Sequence, residues 1–402
     1  MKKLVSALVV LTASVALAAG TNVDLQSARA MGMATAVVAN SPDPSAVFFN
    51  PADIVDGGQS LRFQVGDTAI IPGITFTPTG SSTSYDVTNV VPPFTAYVTY
   101  GITKDLAVGI GVFEPYGLKI TWPEDFPGRY ITQKADLKTY YINPEVAYRF
   151  GIFKVGVGVQ IIRGTVDLSQ KLNFGTGTDG LVELGGGAWA VGGNAGIQAE
   201  ILPGALSAAL TYRSRANLDF TGNAHFSNVP PEFQGSSNGL VHDQTVEAKL
   251  SVPDSVALGI SVQPVTNFRI NAEVDYYAWQ VFHDVTITFE DPSLNKKELK
   301  AWTHGLNYHL GGELDVTPNF SVRAGVMYDP TPSPSETLLP DVPDSDRLNL
   351  AAGVGYHAGG LSVDLGYQFI KFLGATAPAG NPLPGEYAGH VNAISLSLGY
   401  QL

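Results

Sequence analysis

The chain has 402 residues, 45% of them hydrophobic and only 15% charged, with 36 acidic against 23 basic side chains and a formal charge of −13. That sign argues against nucleic acid or anionic lipid as a partner, and the lack of cysteine excludes disulfides, thiolate metal sites and a cysteine nucleophile. Beyond the N-terminus no apolar run is long enough for a spanning helix. The 44 glycines and diluted hydrophobicity instead suit a transmembrane β-barrel, where lipid-facing apolar residues alternate with small or polar inward ones. A secreted soluble β-protein shares that composition.

The first element is a signal peptide over residues 1–18. Lys2 and Lys3 precede an apolar run from Leu4 to Leu17, and Ala16-Leu17-Ala18 supplies the small-x-small cleavage pattern. Residues 19–58 do not alternate. The stretch Leu25–Ala39 favours a short small-residue helix, and Asp43–Ala52 is turn-rich and apolar, with the pair Phe48-Phe49 that disordered segments avoid.

From residue 59 the period changes to two. The cleanest case is Ile394–Leu402, where Ile394, Leu396, Leu398, Tyr400 and Leu402 face one side and Ser395, Ser397, Gly399 and Gln401 the other. The same test predicts fourteen strands: 59–72, 93–101, 104–114, 135–150, 152–168, 187–201, 204–219, 243–263, 267–290, 300–316, 319–329, 346–357, 360–373 and 389–402. Short links such as Gly151 and Pro318 alternate strictly with long ones rich in Pro, Gly, Ser and Asp. That is the short periplasmic turn and long outer loop of an outer-membrane barrel. Tyr100, Tyr148, Tyr212, Tyr328, Tyr356 and Tyr400 fall near strand ends, as an interfacial girdle requires. Pro144 and Pro253 suggest bulges. The expected fold is therefore all-β and transmembrane: a fourteen-stranded antiparallel outer-membrane β-barrel over 59–402, with residues 19–58 as a small N-terminal hatch plugging the lumen. A barrel of this size is not filled by its own side chains.

Ser45-Ala-Val-Phe-Phe-Asn-Pro-Ala52, preceded by Gly32-Met-Ala34, resembles the N-terminal hatch signature of the FadL/TodX family of long-chain fatty acid and hydrocarbon channels. Further similar segments run in order to the last strand, among them Tyr141–Tyr148, Leu210–Ser214 and Pro343–Arg347. The resemblance implies a monomeric, passive channel that takes up hydrophobic compounds and releases them sideways into the outer membrane through a kink in the third strand. It places Asn50, Pro51 and Ala52 of the hatch beside that kink, with Gly109 or Gly111 supplying flexibility as a lateral gate. It implies basic groups that meet a ligand carboxylate; Arg163 and Arg347 match two such positions, and a third is ambiguous between Lys300 and His304. Arg163, Arg347, Phe48 and Phe49 are the candidate ligand contacts. The implied partners are a fatty acid, hydrocarbon or detergent-like ligand, outer-membrane lipid and lipopolysaccharide, and the barrel assembly machinery. The chain ends in Leu402 where the family usually has an aromatic.

Tyr276–Phe282 and Ile161-Ile162 put large apolar groups on both faces of their strands, which favours an apolar lumen over the polar one of a porin. A general diffusion porin is the alternative function, and an outer-membrane hydrolase a more distant one. No His pair has metal-ligand spacing, no base is indicated for a Ser nucleophile, and Gly185–Ala190 reads as strand-start glycine. No catalytic residue, metal site or cofactor is expected. Asp341, Asp344 and Asp346 read by default as an exposed acidic loop, with Ca²⁺ binding as the alternative.

Overall fold

The chain forms a closed antiparallel barrel of fourteen strands in the computed structural model, which describes residues 22–235 and 241–402. The predicted signal segment lies outside the described residues. Eight strands are continuous: β1 (Leu61–Pro78), β4 (Lys134–Phe150), β5 (Phe153–Asn173), β6 (Asp179–Leu202), β11 (Phe320–Asp329), β12 (Arg347–Ala358), β13 (Leu361–Ala377) and β14 (Gly385–Gln401). Six are interrupted: β2 (Tyr85–Thr88, Phe94–Gly101), β3 (Leu106–Phe113, Gly117–Thr121), β7 (Leu206–Arg213, Ala216–Ser227), β8 (Gln244–Val252, Ser255–Val265), β9 (Phe268–Tyr277, Asp284–Phe289) and β10 (Lys296–Leu299, Gly305–Thr317). Each strand pairs with its neighbours in sequence, and β14 closes the ring on β1 over Arg62↔Gln401 to Pro78↔Gly385. All fourteen expected strands are present.

Alternation fixes which face is which. Leu396 is 46% exposed and Ser397 only 1%, because the outer wall meets lipid and the inner wall meets protein. Closure of β14 on β1 removes the outermost edges, which a sheet could not leave unpaired in a medium without hydrogen-bond partners. All six girdle tyrosines lie on the outward, exposed face. Tyr100, Tyr148, Tyr356 and Tyr400 mark the short-turn end of their strands and Tyr328 the opposite end, while Tyr212 lies along β7.

Several sequence expectations change. The link between β5 and β6 is only 174–178, because both strands continue well above the expected membrane span. Pro144 leaves β4 unbroken, pointing outward opposite Ile110, whereas Pro253 does lie in the break of β8. The glycines 185–187 are inside β6, not at its start. Asp341 and Asp344 are buried: Asp341 pairs with Lys300 at 2.8 Å, and Asp344 accepts from Thr331. No group of residues with metal-ligand geometry occurs among the described residues.

Residues 24–55 pack almost wholly buried against inward-facing side chains of the wall. The expected helix is one turn, Ala28–Met31, followed by Ala46–Phe49 and a 3-10 turn Pro51–Ile54. Small residues replace helix length here because the backbone itself touches the wall. A Cβ at Gly311 or Gly325 would collide with the Met33 backbone. The path turns at Ala34 and Thr35, whose φ values of 51° and 61° are in the left-handed region. Wall side chains hold that turn: His309 Nδ1 is 2.8 Å from Ala34 O, and Asn271 Nδ2 donates to Ala36 O at 2.7 Å.

Candidate functional site

Three features meet in the lumen: a seated N-terminal segment, a defect in the wall and an apolar cavity above them. The seat is polar at its rim. Arg29 pairs with Glu313 at 2.8 Å, and Glu313 is shared with Arg323, which also reaches Asp364 at 2.6 Å. Burial alone would lower the Arg29 guanidinium, but the Glu313 carboxylate beside it raises it above its ordinary range, so the pair stays charged. Lys154 holds Asp53 at 2.8 Å. Each charge is matched, as burial demands.

The defect is in β3. Its first segment pairs with β2 and β4, ending at Phe113↔Tyr141, and its second resumes at Gly117↔Lys138. Three residues, Glu114-Pro115-Tyr116, therefore stand opposite two of β4: a bulge at a proline that cannot donate. The N-terminal segment satisfies the backbone groups this frees. Val23 N donates to Pro115 O at 2.8 Å, Asn22 bridges to Tyr116, and Gln26 Nε2 donates to Glu114 O at 2.9 Å. Above the bulge the second segment keeps its ladder to β4, but forms none toward Tyr85–Thr88, the outer part of β2, which pairs with β1. The space is flanked by Val91, which bridges Ile70 of β1, and by Asn89, whose Nδ2 reaches Lys119 O at 3.4 Å.

Behind this gap is the apolar cavity. Its floor is Asn22–Leu25; Leu118 and Ile120 come from the outer half of β3, and Val342 closes it from the loop between β11 and β12. Ile70, Ile74, Ile370, Phe372 and Val391 complete its apolar wall. A second apolar cluster extends across the lumen, with Tyr116 edge-on to Trp279 at 6.2 Å and Trp302 edge-on to Trp279 at 5.3 Å. The inner wall is thus apolar at this level, as Tyr276–Phe282 suggested.

The barrel that carries this wall defect, apolar cavity and seated N-terminal segment has known relatives. The family described as outer membrane protein transport protein (OMPP1/FadL/TodX) matches residues 9–401. The chain belongs to this family. It is similar to the long-chain fatty acid transport protein of Escherichia coli K12, 24% identical over 82% of each chain. It is also similar to outer membrane protein P1 of Haemophilus influenzae Rd, 23% identical over 68% of this chain and 65% of that one. Among solved structures, a Pseudomonas aeruginosa FadL homologue superimposes with a TM-score of 0.83 at 19% identity, covering 93% of this chain and 98% of that one. The Pseudomonas putida toluene transporter TodX gives 0.75 at 14% identity, covering 92% and 98%. This chain is accordingly an outer-membrane transport barrel.

Against that family frame the expected site residues divide. Arg347 faces inward and lines the cavity, but it is ion-paired with Asp329 directly across the ladder. Burial pushes the Asp344 carboxyl above its ordinary range, against the pull of Arg347. Arg163 does not enter the lumen. It pairs across the ladder with Trp189 on the outward face and lies over that ring at 5.3 Å. Its expected place beside a lumenal ligand is therefore corrected. Lys300 is spent on Asp341 and on Glu298 at 2.5 Å, and His304 is exposed against Tyr276.

Asn50, Pro51 and Ala52 are not beside the β3 bulge. They press on β5 and β6, where a Cβ at Gly156 would collide with Pro51 and one at Gly196 with Asn50. Gly109 and Gly111 are also displaced from the expected gate. Both are in regular ladder between β2 and β4, where they make room for Val47. Phe48 stacks edge-on with Phe113 at 5.1 Å and under Arg213 at 4.8 Å, and with Phe49 lines a separate, deeper cavity. The residues that the sequence reading missed are Gln26 and Glu114–Tyr116. Pro115 was the available signal, a ladder breaker directly after the predicted strand 104–114.

Proposed function

We propose that this barrel is a passive channel that receives hydrophobic molecules from outside, holds them in the cavity above the N-terminal segment, and releases them through the gap beside Glu114–Tyr116 into the outer membrane. The observation that carries this reading is the coincidence of cavity and gap, since Leu118 and Ile120 belong to both. Release into water would cost about 0.8 kcal/mol per CH₂, roughly ten kcal/mol for a long acyl chain, which passive diffusion cannot supply. Release into lipid avoids that cost. The relatives named for long-chain fatty acids and for toluene support a hydrophobic cargo. Phe48 and Phe49, beneath the cavity, are proposed as secondary apolar contacts. Below it the seated segment would act as a plug, and the barrel would work as a monomer.

The test restores the ladder. Removing Pro115 leaves two residues of β3 opposite two of β4. Uptake of a radiolabelled long-chain hydrocarbon by cells relying on the variant should fall at least tenfold, with heat-modifiable mobility of the folded barrel retained. Undiminished uptake through a folded variant would reject lateral release at this point.

A further inference from the structure

The cavity that the proposed channel reading makes a binding pocket also has a polar end, and its chemistry is specific. Arg347 and Asp329 are a direct cross-strand pair at the outer ends of β12 and β11, and the guanidinium donates to Asp329 Oδ2. One register step inward, Asn349 stands opposite Met327 and donates its Nδ2 to the Met327 sulfur at 3.0 Å. That contact turns its Oδ1 away from the sulfur. Gln368, diagonal to Asn349 through the pairs Asn349↔Ile370 and Ala351↔Gln368, lines the same cavity. Asp329, Asn349 and Gln368 are 3%, 3% and 1% exposed. Yet Asp329 Oδ1, Asn349 Oδ1, Gln368 Oε1 and Arg347 Nε have no hydrogen-bond partner. Buried polar atoms left unpaired are costly and few in folded proteins, and here four of them belong to residues around one apolar cavity.

We propose that this end of the cavity recognises a neutral hydroxyl head group, so that the preferred cargo is an alcohol- or phenol-bearing hydrophobe and not a carboxylate. Three of the four unpaired atoms are acceptors and one is a donor. A hydroxyl donates once and accepts, and so matches such a set. A carboxylate only accepts. As the side chains are placed, it would face three oxygens and would have to compete with Asp329 for the Arg347 guanidinium, near which Asp344 is also buried. The other cation at the cavity edge, Lys119, is opposite Asp136 on the outward face of the β3–β4 ladder and offers the interior no charge. A plain hydrocarbon would fill the apolar part but leave all four atoms unpaired.

The experiment is calorimetric titration of the full barrel, held in amphipol, with 1-decanol, decanoate and n-decane at a pH where the acid is ionised. The alcohol should bind at least tenfold more tightly than either of the others. Gln368→Leu should bring it within about threefold of decane, leaving decane itself nearly unchanged. Asp329→Asn should free the guanidinium and strengthen decanoate at least tenfold, reversing the preference. Decanoate binding as tightly as decanol to the unaltered barrel, or decanol no tighter than decane, overturns the proposal while leaving the channel reading intact. Binding of none of the three removes the pocket, and the channel reading with it.

Discussion

At Gly156 and Gly196 the N-terminal segment approaches the wall closely, and a single methyl group tests that contact. At Gly156 an added Cβ would overlap the Pro51 backbone, which has no rotamer to change. Such overpacking costs about 1–3 kcal/mol, and the weaker partner, the seated segment, should yield before the ladder does. Gly156→Ala is expected to raise the proteolysis rate within residues 40–58 several-fold while leaving barrel mobility on gels unchanged; equal proteolysis would show that the contact bears no load. Gly109→Trp and Gly111→Trp should behave the same way, by expelling Val47, and not by blocking an exit. Residue-level reading from sequence failed most clearly at Arg163, for a physical reason. On β5 both Ile161 and Ile162 are apolar, one outward and one buried inward. An apolar lumen removes the contrast from which phase is read, so the strand was legible and its inward face was not.

Among elements, the strands were readable because lipid on one side and protein on the other impose period two over most of their length. Their outer extensions were not, since β5 and β6 continue beyond the region where lipid enforces alternation. The bulge in β3 was half legible: Pro115 forbids a ladder bond, but only the fold shows that Gln26 supplies the missing partner. Replacing it tests that dependence. Gln26→Leu leaves Glu114 O without its side-chain donor, a loss of about 1–3 kcal/mol for a buried group. Backbone amides of residues 113, 114, 116 and 117 should then exchange with deuterium roughly ten- to a hundredfold faster, with the rest of β3 protected as before. Unchanged exchange would mean that Val23 alone secures the bulge.

For the whole molecule, fourteen strands enclose more space than their own side chains fill, and residues 24–55 take up the remainder. Deleting residues 22–58 should convert a poorly conducting barrel into an ion-leaky one in planar bilayers, with conductance steps raised at least tenfold; equal steps would reject the plug. That a segment of this composition and position would lie inside was legible in its small residues and its Phe48-Phe49 pair. Its path was not, because its contacts depend on strands from tens to hundreds of residues away.

One of those contacts has a consequence for assembly. Ala28 N donates to Ser397 Oγ across 369 residues of sequence, so the first part of the chain to be exported completes its seat only on the last strand to arrive. Contacts of such separation form late and slowly. While the ring is open, the segment's polar backbone lacks part of its hydrogen-bond shell and is accessible to proteases. Protection of the N-terminal segment should therefore lag behind formation of the early hairpins and coincide with pairing of β14 to β1. Pulse proteolysis during refolding into liposomes would time the two events, making the seated segment a built-in reporter of ring closure.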